Sequence, residues 1–325
     1  MPLRWSPQTK TNLWSPEGIA AAIVAGEPRR RAAVHFRAVP PTAPAVWTPR
    51  KRAEMRWRSA TRKARTLPDF LILSAGRCGS TSLFASLCEH PRVLPPSHKE
   101  PHFFDRNHAQ GLDFYRRLFP LEAHRRTRAR RVGGPVLSGE ATTYYLLHPA
   151  VPERAHAVIP EARLVVILRD PVDRAHSHYH LSLSRGREKL TFEEALDAEP
   201  ERLAGAEERL LASPSADEPS HRFHSYVARG MYLEQLLRWE RPYGAGRILF
   251  LRSEDFFADP VGSLRRVTDF LHLEPHPGPL PPAKNVASYD TMKPETRRRL
   301  QEIFAEPNRR LEEHLGRELG WQAPG

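Results

Sequence analysis

Along this chain, apolar residues gather in short dense runs separated by longer stretches in which they recur at helical spacing. "DFLILSAG" (69–76), "ARLVVILRD" (162–170) and "RILFLRSEDF" (247–256) each hold an unbroken apolar run, the second rich in β-branched residues. Such continuity marks strands buried on both faces, because a strand with one wet face would alternate instead. "VLSGEATTYYL" (136–146) is a fourth strand candidate. After the first run, Leu83, Phe84, Leu87 and Cys88 return at the three-to-four spacing of a helix. After the second, "PVDRAHSHYHLSL" opens on Pro171, suited to the first turn of a helix. After the third, Val261 to Leu273 reads as an amphipathic helix. The end of the chain, 294–319, reads as two polar-faced helices broken near Pro307. Strands that alternate with helices predict a three-layer α/β/α domain with a central parallel sheet, P-loop-like, with ligands at the carboxyl ends of its strands. Residues 188–225, rich in acids and holding Pro214 and Pro219, read as a helical insertion with a loose linker.

Composition narrows the picture. The 325 residues are 40% hydrophobic, with mean hydropathy −0.56, and no run reaches the ~18 apolar residues of a spanning helix. Two cysteines, Cys78 and Cys88, are too few for a disulfide scaffold. With no apolar leader segment apparent, a reducing, cytoplasmic setting is expected. The net charge of +12 is local: residues 1–66 hold 14 Lys and Arg against 3 acids, the rest 36 against 35. A near-neutral remainder lacks the broad cationic face that duplex binding requires. Residues 1–66, rich in Pro and Arg and without periodicity, read as a largely disordered basic tail, leaving 67–325 as one domain.

The chemistry concentrates in "AGRCGSTSL" (75–83), where glycines and small hydroxyl residues fall at a strand-to-helix turn. Such a turn aims backbone N–H groups and a helix N-terminus at one point. Arg77 adds a full charge, and Ser80, Thr81 and Ser82 add hydroxyls, so the turn suits a phosphate or sulfate. Small residues there equally allow close packing of helix on strand. The Walker pattern is not met, because Gly79 stands directly before Ser80 where a lysine is required. The second strand ends likewise in "LRDPVDRAHSHY", with Arg169 at its tip and Arg174 and Ser177 on the helix. That gives a second anion site, unless Arg169 pairs with Asp170 or Asp173. "HKEPHFFD" (98–105) offers Glu100 between Lys99 and His102, with Asp105 beyond; a surface ion pair with Lys99 is the plainer reading. In "HSHYH" only His176 and His180 share a helix face and no HExxH pattern is present, so no metal site is assigned.

Taken together, "AGRCGSTSL", "KEPHFFD", "LRDPVDRAHSHY" and the closing "RRLEEHLGRELGW" resemble, in order and spacing over roughly residues 66–322, sulfotransferases of the heparan-sulfate type. The resemblance implies that 3′-phosphoadenosine-5′-phosphosulfate (PAPS) is the donor. It implies a 5′-phosphosulfate loop of Arg77, Cys78, Gly79, Ser80, Thr81 and Ser82, and a 3′-phosphate site of Arg169 and Ser177. Glu100 would be the general base, with His102 beside it, and Arg77 would stabilise the leaving phosphate. Lys284, Asn285 and Tyr289 would close over the nucleotide, and Arg229, Gly230 and Tyr232 would flank it. Two positions depart from the family pattern: Arg77 stands where lysine is common, and Ala141 stands where the heparan-sulfate enzymes tend to carry lysine after glutamate. The expected acceptor is a hydroxyl, or an amine, of a carbohydrate or small metabolite, with no metal, no specific nucleic acid and no membrane span. The competing readings are a kinase-like phosphotransferase, a basic nucleic-acid-binding protein and a nucleotide-binding protein without catalysis.

Overall fold

The computed structural model describes residues 49–213, 215–275 and 290–321. The chain divides into Met1–Val39 and Pro40–Gly325, and every described residue belongs to the second unit. Its centre is a five-stranded parallel sheet of β1 (Phe70–Ser74), β2 (Val93–Leu94), β3 (Leu137–Ala141), β4 (Arg163–Leu168) and β5 (Ile248–Arg252), in the order β2-β3-β1-β4-β5. Among the described residues, the helices of eight or more residues are α1 (Pro49–Ala60), α2 (Ser80–Cys88), α3 (Glu122–Val132), α4 (Val151–Val158), α5 (Pro171–Ser184), α6 (Phe192–Leu203), α7 (Tyr232–Tyr243), α8 (Pro260–Phe270) and α9 (Pro294–Leu315).

Odd and even positions of β1 and β4 are both buried, against different helices. Leu71, Leu73, Leu164, Val166 and Leu168 face one layer, with Val151 and Ala155 of α4 and Leu233, Leu236 and Trp239 of α7. Phe70, Ile72, Val165 and Ile167 face the other, with Leu83, Phe84 and Leu87 of α2 and Val267 of α8. This two-sided burial is the reason the strands read as unbroken apolar runs. At Gly139 of β3 a Cβ would stand 2.2 Å from the Phe70 ring, so only glycine lets that ring cross the neighbouring strand.

The chain adds β2 and β3 to one side of β1, then crosses to add β4 and β5 on the other. The loops that leave β1 and β4 therefore diverge, opening a crevice at their carboxyl ends.

Three differences from the sequence reading have physical causes. Residues 49–66, assigned by composition to the tail, form α1 and a short 3₁₀ turn, Arg62–Ala64; Met55 enters the main core and Arg65 is buried. The break expected near Pro307 is absent: α9 runs unbroken, because Leu300 and Phe304 before the proline and Asn308 and Leu311 after it form one buried stripe. The insertion is docked on the domain, since Phe192, Ala195 and Leu196 of α6 share a buried cluster with Val172 and Ala175 of α5, and Glu188 is buried between Arg202 (2.6 Å) and the Tyr226 hydroxyl (3.0 Å).

Candidate active site

Between β1 and α2 the backbone enters the left-handed region at Gly76 (φ +75°), Arg77 (+63°) and Gly79 (+90°). For Arg77 this conformation costs about 1 kcal/mol, a strain typical of ligand-holding turns. The turn is braced from within: the Gly76 N–H donates to Ser74 Oγ (3.1 Å), and the Cys78 thiol turns inward to the Gly76 carbonyl (3.2 Å). Phe257 closes over Gly79, where a Cβ would meet its ring at 2.9 Å. Gly76, Arg77, Gly79, Ser80 and Thr81 line a cleft of about 840 Å³. The first-turn N–H groups of α2 have no partners inside their own helix. Glycine, hydroxyl and guanidinium donors around a helix N-terminus are the donor set an anionic oxygen cluster requires, so the residues present fit a phosphosulfate. Cys78 and Ser82 do not share that cleft. Both are buried, and burial pushes the Cys78 thiol up, which makes it an anchor of the turn and no donor to a ligand.

The second anion site lies against the first. Arg77 reaches across with its Nε donating to Ser177 Oγ at 2.9 Å, joining the β1 turn to α5. Arg169 also lines the cleft, 4.0 Å from an Asp173 carboxylate that holds Arg297 more closely, at 2.8 Å. Asp170 does not pair with Arg169. Its carboxylate caps α5 by accepting from the amides of Val172 (2.8 Å) and Asp173 (3.3 Å). Arg174 is fully buried and lies outside the cleft lining. Tyr232, expected beside the nucleotide, is buried away from the cleft lining and donates its hydroxyl to the Arg169 carbonyl (2.8 Å). The closing sequence motif is likewise structural: Trp321 is buried, packs edge-on to Tyr232 and donates to Glu254 (3.3 Å). Lys284, Asn285 and Tyr289 lie outside the described residues.

The opposite wall carries Glu100. Glu100 (φ +58°) and His102 (φ +51°) are also left-handed, so the structure holds three of its four non-glycine residues of positive φ, among the described residues, at this one cleft. The segment is fixed by Phe103 and Phe104, both buried, whose amides donate to the Tyr145 hydroxyl (2.8 and 3.2 Å). Lys99 Nζ stands 3.0 Å from Glu100 Oε1, Thr143 Oγ1 donates to the same oxygen at 3.4 Å, and His102 Nε2 is 3.7 Å from Oε2. His102 Nδ1 is 2.6 Å from the buried Asp105 carboxylate. Burial alone would raise the Glu100 carboxyl, but the nearby His102 imidazolium and the charge of Lys99 outweigh it and hold the group at about 2. Burial likewise works against the His102 cation, yet Asp105 and Glu100 raise it to about 9. At neutral pH the wall is therefore an ionised carboxylate beside an imidazolium.

Sequence reasoning missed the cationic rim. Arg106, Arg185, Arg187 and Arg222 line the same cleft from three separate segments, with the Phe223 ring between the guanidiniums of Arg187 (3.9 Å) and Arg222 (4.3 Å). Arg222 is paired with Asp217 (2.6 Å); among the described residues Arg106 and Arg185 have no carboxylate partner. Burial, then repulsion from Arg185, Arg222 and Arg106, lowers the pKa of Arg187. The residues are scattered from 106 to 222, and no local pattern announces them.

Comparison with known proteins agrees with this geometry. A family model described as a sulfotransferase domain matches residues 67–318. Heparan sulfate glucosamine 3-O-sulfotransferase 3B1 of Mus musculus is 30% identical over 283 residues, covering 79% of this chain and 66% of that protein. Heparan sulfate glucosamine 3-O-sulfotransferase 6 of Homo sapiens is 32% identical over 210 residues, 65% of this chain and 54% of that one. The chain thus spans between about half and two thirds of the length of these curated relatives. The crystal structure of a sulfotransferase from Alicyclobacillus acidocaldarius superposes with a TM-score of 0.60 at 29% identity, over 79% of this chain and all of that one. A match reaching from the approach to β1 to the end of α9, over a shared fold, means that the chain belongs to the family of PAPS-dependent sulfotransferases.

Proposed function

We propose that the protein transfers the sulfuryl group of PAPS to a hydroxyl of an acidic carbohydrate, with Glu100 as general base. The observation that carries this reading is the meeting, in one cleft, of the β1 turn, the Arg169 and Ser177 pair and the Glu100 carboxylate. A donor with a 5′-phosphosulfate and a 3′-phosphate needs two anion sites at fixed separation, and the Arg77 to Ser177 hydrogen bond ties the two together. Gly76, Arg77, Gly79, Ser80 and Thr81 hold the phosphosulfate end, Arg77 offsets the charge that develops on the leaving phosphate, and Arg169 and Ser177 bind the 3′-phosphate. Glu100, ionised throughout the working range, takes the acceptor's proton as the acceptor oxygen bonds to sulfur and the bond from sulfur to the phosphate oxygen breaks. A carboxylate held this low is a weak base, and its basicity rises when an acceptor displaces Lys99 and water from it. The relatives' names assign heparan sulfate glucosamine as their acceptor. The unbalanced charge of Arg106 and Arg185 supports a negatively charged acceptor here as well.

Calorimetric titration tests the donor: 3′-phosphoadenosine-5′-phosphate (PAP) is expected to bind at least about tenfold tighter than ADP, and Arg169→Ala to erase that preference. With labelled PAPS, label is expected to enter heparan sulfate and not dextran, and Glu100→Gln to lower the rate at least about a hundredfold while PAP affinity holds. Equal affinity for ADP and PAP would defeat the reading.

A further inference from the structure

Arg229, in the 3₁₀ turn Ala228–Gly230 before α7, is only 4% exposed yet borders the cleft. Its Nε donates to Ser225 Oγ (3.2 Å) and its Nη2 to the Arg222 carbonyl (2.7 Å), and the guanidinium stands 5.5 Å from the centre of the Tyr144 ring. None of these partners is a carboxylate. Nη1 has no hydrogen-bond partner among the described residues and faces Gly76, where a Cβ would lie 3.6 Å from it. Behind it Arg174, also fully buried, bonds the Tyr226 carbonyl and His178 Nδ1 (3.5 Å) and leaves its Nε without a partner. The nearby buried acid, Glu199, spends its oxygens on the amides of Tyr226, Val227 and Ala228. A buried cation without a counter-ion is costly, and here the fold keeps two together beneath the β1 turn. Burial, followed by repulsion from Arg174, pulls Arg229 down to about 10.

We infer that Arg229 is a catalytic residue whose Nη1 binds a non-bridging oxygen of the sulfuryl group during transfer. The inference rests on the sulfotransferase reading and adds a residue to it. Position is the argument: Arg229 Nη1 points at the open side of Gly76 in the donor turn, its guanidinium stands over the Tyr144 ring, and Thr143, next to Tyr144, reaches the Glu100 carboxylate. The guanidinium thus stands between the turn that holds the donor and the base that activates the acceptor. Arg77, engaged with Ser177, serves the phosphates instead. As the bond from sulfur to the phosphate oxygen breaks, its electron pair goes to the phosphate, the acceptor oxygen bonds to sulfur, and Glu100 takes the acceptor's proton. The sulfuryl oxygens stay charged throughout, and a preoriented N–H in a dry pocket favours that arrangement without reorganisation.

The test compares Arg229→Met and Arg229→Lys with wild type by thermal melting, by calorimetric affinity for PAP and for PAPS, and by sulfuryl transfer from labelled PAPS to heparan sulfate. Arg229→Met is expected to bind PAP within about threefold of wild type but PAPS at least about tenfold more weakly, and to transfer at least about a hundredfold more slowly. Arg229→Lys is expected to recover part of both losses. Unchanged PAPS affinity and rate in Arg229→Met would overturn the assignment, and so would an equal loss for PAP and PAPS, which would make the residue structural. If Arg229→Met does not fold, Arg229→Lys decides alone: a wild-type ratio of PAPS to PAP affinity and a wild-type rate overturn it. Failure of the wild-type protein to prefer PAP over ADP would instead defeat the donor reading, and this assignment with it.

Discussion

His102 is the residue whose charge most depends on the fold. In the unfolded chain its imidazolium loses its proton near the ordinary value of 6.5, whereas Asp105 and Glu100 hold it in the folded protein up to about 9. Because the folded value is the higher one, the stabilisation is complete below about pH 6.5 and is lost as pH rises through about 9. His102→Gln keeps a hydrogen-bond donor but never titrates. The melting temperature of the variant is expected to fall furthest below wild type near about pH 6, and the gap to be nearly closed at about pH 10. A gap that stays constant across that range would mean that the imidazole serves by shape alone. The sequence revealed that Glu100, His102 and Asp105 stand together, since the three lie within six residues. It did not reveal that the imidazole stands between the two carboxylates, which depends on left-handed backbone at Glu100 and His102, a conformation uncommon for any residue but glycine.

At the scale of elements, legibility followed burial. Three of the five strands, β1, β4 and β5, stood out as apolar runs because helices pack on both sides of the sheet, β3 with Gly139 and Glu140 in it offered a weaker pattern, and β2, two residues long, carries too little to be seen. The α9 helix shows the opposite case, in which a strong local signal yields to tertiary packing. A proline inside a helix removes one backbone hydrogen bond and crowds the preceding turn, at about 3 kcal/mol relative to alanine. The buried stripe from Leu300 to Leu311 outweighs that cost and keeps the axis continuous. Pro307→Ala is therefore expected to raise stability by at least about 1 kcal/mol, or about 2 to 4 °C in melting temperature, after allowing for packing lost with the half-buried ring. An unchanged or lower melting temperature would show that the proline's own packing or bend is what seats α9 on α7. The cationic rim had no element-level signal, because Arg106, Arg185 and Arg222 become neighbours only once the insertion docks.

For the molecule as a whole, the question is where the folded unit begins. Composition set the boundary at 66 and the family match starts at 67, yet α1 is bound to the site through a chain of contacts. Met55 lies in the main core, and Arg58 Nη1 and Arg65 Nη1 donate to carbonyls of residues 117–119, the closest at 2.7 Å. The Leu118 carbonyl in turn accepts from the Ser97 amide (2.7 Å), and Tyr115 stacks on Phe103 with ring centres 4.4 Å apart. Both Ser97 and Phe103 flank Glu100. A basic, aromatic-poor segment hides this role, because Arg58, Arg62 and Arg65 are used for hydrogen bonds to backbone and only one methionine marks the buried face. A chain of residues 67–325 is expected to lose at least about 3 kcal/mol relative to one of 49–325, from the vacated Met55 site and the orphaned carbonyls. That corresponds to a melting temperature lower by about 6 °C or more. Turnover with PAPS should fall further than PAP affinity, since the loosened segment carries the base while the β1 turn and α5 hold the nucleotide. Equal melting temperatures for the two chains would show that α1 merely rests on the surface, and a matching loss of PAP affinity would show that it supports the donor side instead.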